Sequence, residues 1–125
     1  MRLLLDTHIY LWAVAGSPQL KPATRRLIDG ADEVYVSAAS IWEVAIKARL
    51  GKLAIDPQEL AAAIEPSGFI QLPVSASHAA GVCRLELHHN DPFDRLLIAQ
   101  ALAEPLRLLT ADATLAQYSD IVMLV

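Results

Sequence analysis

The chain has a single cysteine, Cys83, among its 125 residues. One thiol excludes an internal disulfide framework and a cysteine-based zinc site. Cys83 itself reads as a small buried hydrophobe. No apolar run approaches the roughly 20 residues that span a bilayer, so no membrane partner is expected. The opening stretch MRLLLD meets an acid after three leucines, which is not the pattern of a signal peptide. A cytoplasmic protein is the expectation. Positive charge is also scarce: 10 Lys and Arg stand against 14 Asp and Glu, for a formal net charge of −4. Simple nucleic-acid binders tend to be basic, so this balance argues against a large electrostatic footprint. It leaves room for a nucleic-acid enzyme whose site holds metal ions, because bound cations bring charge that the count omits. Internal repeats, low-complexity tracts and long linkers are missing as well. One compact domain over residues 1–125 is expected.

What is present is mostly apolar: 54% of residues are hydrophobic and 19% charged, a globular composition. Short β-type runs alternate with helical patterns. Leu3 to Leu5 reads as a buried strand, followed by a helix from Thr7 to Ala15. SPQLKPATRRLIDG reads as a helix closed by Gly30, EVYV as a strand, and AASIWEVAIKARLGKL as a helix closed by Gly51. DPQELAAAIEPSG has Asp56 as N-cap, Pro57 in the first turn and Gly68 beyond the end. FIQLP, RLLT and IVMLV read as strands, and SASHAAGVCRLE and DATLAQY as helices. The alternation predicts an α/β fold, with a mainly parallel sheet and helices on both faces. Ligands of such sheets bind beyond the carboxyl ends of the strands.

Acids are placed there. LLLD puts Asp6 at the end of the first strand, and LLTAD puts Asp112 just beyond the fourth. Glu43 lies in the first turns of the helix after VYVS. NDPFDRLLIAQAL begins with Asp91 and Asp94. Asp91 is a natural N-cap, with Pro92 as the first helical residue. Asp94 falls on the same 100°-per-residue stripe as Leu97, Ile98, Ala101 and Leu102, a face that ought to be buried. A carboxylate there must be paired, protonated or metal-bound. The other acids have plainer readings too. Asp6 and Asp112 serve as N-caps, and Glu43 forms the favoured i,i+4 pair with Lys47 on a solvated face. A cap after LLL needs no acid, however, since Ser, Thr or Asn would serve. If the acids converge, two carboxylates ~5 Å apart repel by roughly 3 kcal/mol at an effective dielectric of 20. Four then need a cation or raised pKa values. An all-oxygen donor set favours Mg²⁺ or Mn²⁺ over zinc.

LLLDTHIYLW, SAASIWEVAIK, HHNDPFDRLLIAQA and LLTADATLAQY together resemble the PIN-domain nucleases, and in particular the VapC-type toxins of toxin–antitoxin pairs. The resemblance runs along nearly the whole chain in motif order and length, and DPFDRLLIAQA is its most specific part. It implies a three-layer α/β/α sandwich and an acidic quartet of Asp6, Glu43, Asp94 and Asp112 around Mg²⁺ or Mn²⁺. It further implies endonucleolytic RNA hydrolysis by a metal-activated water, leaving a 3′-hydroxyl and a 5′-phosphate. Asp6 and Asp94 would be direct ligands, with Asp112 ligating directly or through water. Glu43 would hold a water or a second ion. A VapB-type antitoxin and a second copy of the chain are the implied partners.

Other residues carry weaker signals. Thr7 could orient Asp6 or a phosphate, although a plain helix-start threonine is the simpler reading. Ser37 and Ser40 are similar. His88 and His89 could touch RNA but read as solvated loop residues. Lys47, Arg49 and Lys52 read as a solvated face, whereas Arg95, beside Asp94, is a phosphate-binding candidate. Trp12 and Trp42 read as core or interface. Two competing classes stand beside the nuclease. A phosphotransfer domain would want the second aspartate of a D-x-D motif, which LLLDTH lacks, or a lysine after a late strand. A non-catalytic PIN-like module for RNA or protein contact is disfavoured by an intact quartet.

Overall fold

The computed structural model describes residues 1–86 and 90–125. Among the described residues, five strands form one sheet: β1 (Arg2–Leu5), β2 (Glu33–Ser37), β3 (Ile70–Leu72), β4 (Arg107–Thr110) and β5 (Val122–Leu124). Their order is β3-β2-β1-β4-β5 and every pairing is parallel. Among the described residues, six α-helices flank the sheet: α1 (Thr7–Ala15), α2 (Pro22–Asp29), α3 (Ala38–Arg49), α4 (Pro57–Ala62), α5 (Ala76–Gly81) and α6 (Pro92–Ala103).

The central strand shows why the sheet is covered on both sides. Leu3, Leu4 and Leu5 are all fully buried, and successive side chains of a strand point to opposite faces. Leu3 and Leu5 join Ile9, Tyr10, Ile28, Val44 and Leu60 in one core. Leu4 joins Leu97, Ile98, Ala101 and Leu108 in the other. The three-layer α/β/α arrangement expected from the alternation is therefore present. The chain lays β1, β2 and β3 side by side in one direction, then returns to place β4 on the other side of β1. The direction reverses between β1 and β4, the point where ligands of open parallel sheets settle. Asp6 lies at this reversal, its backbone N–H donating to Leu109 at 3.1 Å.

Element ends depart from the expectations where local chemistry intervenes. The second helix begins only at Pro22, whose fixed φ suits a first turn. The stretch before it, including Ser17 and Leu20, forms turns. SASHAAGVCRLE yields α5 and then a tighter 3-10 turn, Val82–Arg84. That change of phase leaves Cys83 exposed, not buried. DATLAQY is a 3-10 helix over Ala113–Gln117. Trp42 is neither core nor covered within the chain: it is 60% exposed and lies edge-on to Phe93 with ring centroids 5.2 Å apart. Trp12 is partly buried against the first core. On α6, Leu97, Ile98 and Ala101 are buried as expected, but Leu102 is 45% exposed. At eight residues past Asp94 it has rotated off the stripe, and Ala99 and Gln100 are buried in its stead. No helix among the described residues is long and apolar enough to cross a membrane.

Candidate active site

Four chain segments deliver acids to one cavity. It measures about 110 Å³ and is lined by Asp6, Thr7, His8, Glu43, Lys47, Asp91, Asp94 and Asp112. Asp6 ends β1, Glu43 lies in α3 after β2, Asp94 sits in the first turn of α6, and Asp112 follows β4. The parallel sheet makes this convergence possible, because all its strands end at the same edge. His88 and His89 lie outside the described residues.

Capping and cavity lining are not alternatives here. Asp6 Oδ1 accepts the Ile9 N–H at 2.9 Å and so caps α1. Its Oδ2 accepts the hydroxyl of Thr110. Asp112 caps the 3-10 helix by accepting from the Thr114 N–H at 2.9 Å. Asp91 accepts from the Phe93 and Asp94 N–H groups at 2.8 and 3.2 Å, as its N-cap reading requires. A single carboxylate has lone pairs enough for a backbone donor and a further partner.

Glu43 is the acid whose setting differs most from the solvated pair. The ion pair with Lys47 is made, with Nζ 2.8 Å from Oε2. Yet Glu43 is buried. Its Oε1 accepts the Thr7 hydroxyl at 2.7 Å. Thr7 Oγ1 also lies 3.0 Å from Ser40 Oγ. Thr7 has one proton and gives it to the carboxylate, so Ser40 donates to Thr7. Thr7 therefore orients Glu43, not the adjacent Asp6. Ser37 faces elsewhere: it caps α3 through the Ala39 N–H and donates to Gln100 Oε1 at 2.6 Å.

In the sequence Thr110 is simply the last residue of the strand RLLT. Its hydroxyl donates to Asp6 and accepts the Asp112 N–H at 3.1 Å, tying two of the acids together. The T-x-D spacing of LLTAD is the signal that could have found it. Arg95 is the opposite case. Its guanidinium donates to the carbonyls of Glu86 and Val82 at 3.0 and 3.3 Å and to the Tyr118 hydroxyl at 3.1 Å. It fastens the turn at residues 82–86 and is not among the described residues lining the cavity. The phosphate-binding candidacy of Arg95 is thus corrected: a fork of donors beside carbonyls satisfies those first.

Electrostatics mark Asp6 as the strained member. Burial pushes its carboxyl above the usual aspartate value, against the pull of the Thr110 and Ile9 hydrogen bonds, and the neighbouring Glu43 charge adds to the push. Lys47 is held more firmly protonated by its hydrogen bond to Glu43, with Asp91 and Asp94 adding attraction. A cation suits this setting, and the donors are all oxygen, the chemistry of a hard divalent ion. Among the described residues, however, no three His, Cys, Asp or Glu side chains are gathered closely enough to hold a metal as they stand. Asp6, Asp91 and Asp112 already accept backbone N–H groups, Asp6 also accepts the Thr110 hydroxyl, and Glu43 is engaged by Thr7 and Lys47.

A parallel sheet with acids at the strand ends beside its reversal places this cavity where ligands of open α/β sheets bind. The family model for the PIN domain matches residues 3–121, and the chain belongs to that family. It is 33% identical over 123 residues to Ribonuclease VapC22 of Mycobacterium tuberculosis (strain ATCC 25618 / H37Rv), covering 93% of this chain and 91% of that one. Its fold matches the crystal structure of VapBC2 from Rickettsia felis bound to a promoter DNA fragment. That match has a TM-score of 0.70 and 17% identity and covers 100% of this chain and 98% of the other. It also matches VapC20 of Mycobacterium tuberculosis, described as a Sarcin-Ricin loop cleaving toxin. There the TM-score is 0.64 at 16% identity, over 94% of this chain and 97% of that one.

Proposed function

We propose that this PIN-domain protein is an endoribonuclease, the toxin of a toxin–antitoxin pair, with Asp6, Glu43, Asp94 and Asp112 as its catalytic acids. The observation that carries the proposal is the gathering of these four residues, from four separate segments, around one polar cavity at the strand ends. The 33% identity to a VapC ribonuclease along almost the whole chain supports the substrate class. Asp6, Asp94 and Asp112 are the residues to hold Mg²⁺ or Mn²⁺, and Glu43 holds a second ion or a water on the first. When bound, such an ion activates water and neutralises charge on the phosphodiester. The chain supplies the rest. Thr110 holds Asp6 and the start of the Asp112 turn in register. Thr7, backed by Ser40, fixes the rotamer of Glu43. Asp91 anchors the first turn of α6 so that Asp94 faces the cavity. A VapB-type antitoxin is the partner, as the VapBC complex of the same fold suggests, and a homodimer is the working assembly.

Incubating the protein with a mixed tRNA and rRNA pool in Mg²⁺, Mn²⁺ or EDTA tests the proposal. Metal-dependent cutting that Asp94→Asn abolishes is the expected result. A folded wild type that cuts nothing and whose melting temperature ignores both metals would leave a non-catalytic binding module in its place.

A further inference from the structure

Among the described residues lining the cavity, one lysine stands against five acids. Asp6, Glu43, Asp91, Asp94 and Asp112 all line it, and among the described residues lining it Lys47 carries the only fixed positive charge. The two ends of the Lys47–Glu43 pair are unequal. Glu43 is buried, and its other oxygen is held at 2.7 Å by Thr7, which Ser40 backs. Lys47 is 35% exposed and ends a flexible four-carbon stem one helical turn further along α3. When the pair opens, the lysine is the half that moves.

We propose that Lys47 is a substrate-phosphate contact kept in reserve: Glu43 holds its ammonium while the cavity is metal-free, and Lys47 turns to an RNA phosphate once a divalent cation is bound. The proposal rests on the nuclease reading of the cavity and names a residue that binds its substrate. The physical reason is competition. An ammonium and a divalent cation want the same Glu43 oxygens, and the doubly charged ion has the stronger claim at short range. Lys47, released at the cavity mouth, faces solvent on one side and acids already compensated on the other. An arriving phosphate is then its best partner, and a mobile point charge suits a phosphate whose position shifts during cleavage.

The test uses the full-length protein and two readouts that do not depend on cleavage. One is Mn²⁺ affinity by calorimetry without RNA. The other is the affinity for a fluorescein-labelled RNA by anisotropy, with and without Mn²⁺. Lys47→Gln should bind Mn²⁺ about 3- to 5-fold more tightly, because the competing charge is gone. In Mn²⁺ it should bind RNA about 10-fold more weakly, the worth of one charged hydrogen bond. Without metal the same substitution should leave RNA affinity within about 2-fold, since Lys47 is then occupied by Glu43. Lys47→Arg should recover most of the loss. Arg25→Gln, an exposed charge on α2, should weaken RNA equally with and without metal. Weaker Mn²⁺ binding by Lys47→Gln would overturn the proposal by making Lys47 a structural support of Glu43. RNA affinity that drops equally with and without metal would overturn it by making Lys47 a general surface charge. A wild type that shows the expected pattern but cuts no RNA would sink the nuclease reading and leave the lysine exchange standing.

Discussion

Two buried polar clusters flank the carboxyl ends of the strands, and they differ in what they leave undone. The first joins Thr110 to Asp6 and Ser40, Thr7, Glu43 and Lys47 around the cavity. The second joins Ser37, Gln100, His78 and Glu104 between β2, α5 and α6. Ser37 donates to Gln100 Oε1, and Gln100 Nε2 reaches the Pro73 carbonyl at 3.2 Å and His78 Nδ1 at 3.3 Å. The Ser75 N–H also donates to Nδ1, so that nitrogen is the acceptor and Nε2–H donates to Glu104 at 2.7 Å. Among the described residues, no buried side-chain nitrogen or oxygen lacks a partner. Hydrogen-bond satisfaction therefore does not separate the clusters. Charge and access do. The second is closed and, but for Glu104 at its rim, uncharged, and its work is to hold α5 and α6 on the sheet. The first crowds carboxylates around an opening. Burial of polar groups alone does not mark function; a surplus of one charge beside a cavity does.

Substitutions should part the two clusters, and Asp6→Asn should do so most sharply. RNA cleavage should fall by about 10³-fold or more, in the range of losing a principal catalytic group. Metal-free stability, by contrast, should hold or rise, because the burial that raises the Asp6 pKa makes its charge costly. The sign for pH follows. An acid whose folded pKa lies above its unfolded value costs stability above the folded pKa, and that cost fades as pH falls through it towards the ordinary aspartate value near 3.9. The stability gap between Asp6→Asn and wild type, read from urea melts without metal, should accordingly shrink as pH is lowered through that window. A gap that widens on acidification would contradict the burial argument.

Gln100→Leu should behave in reverse. It leaves the buried Ser37 hydroxyl without its acceptor, at about 1–3 kcal/mol before relaxation, and takes a donor from the carbonyl of the exposed Pro73. Urea denaturation should show a clear loss, while cleavage per folded molecule stays within a few-fold. Cleavage that collapses while stability is kept would merge the two clusters into one. Thr7→Val should give the smallest effect and a mixed one. About 1 kcal/mol of stability is lost with its hydrogen bonds, and turnover drops about 10-fold as Glu43 loses its anchor. Single-turnover rates against melting curves would separate the two contributions.

The sequence carried much of this. Three leucines in a row announced a buried strand, and the caps at Asp6, Asp56, Asp91 and Asp112 were each legible from the residue types beside them. The acids of the cavity could be named, because strand ends in a parallel sheet share an edge. Where reading failed, a side chain had several possible partners. Arg95 looked like a phosphate ligand until the carbonyls of residues 82 and 86 took its donors. Cys83 looked buried until a 3-10 turn changed the helical phase.

Periodicity and capping act over a few residues, so the sequence by itself determined the strand and helix order, the parallel sheet and the identity of the acids. Only the tertiary structure decided that Glu43 is buried, that Thr7 and Thr110 serve different acids, and that Lys47 faces into the cavity. Those outcomes depend on contacts 36 and 104 residues apart in the chain, and no local preference encodes which donor reaches a carboxylate first.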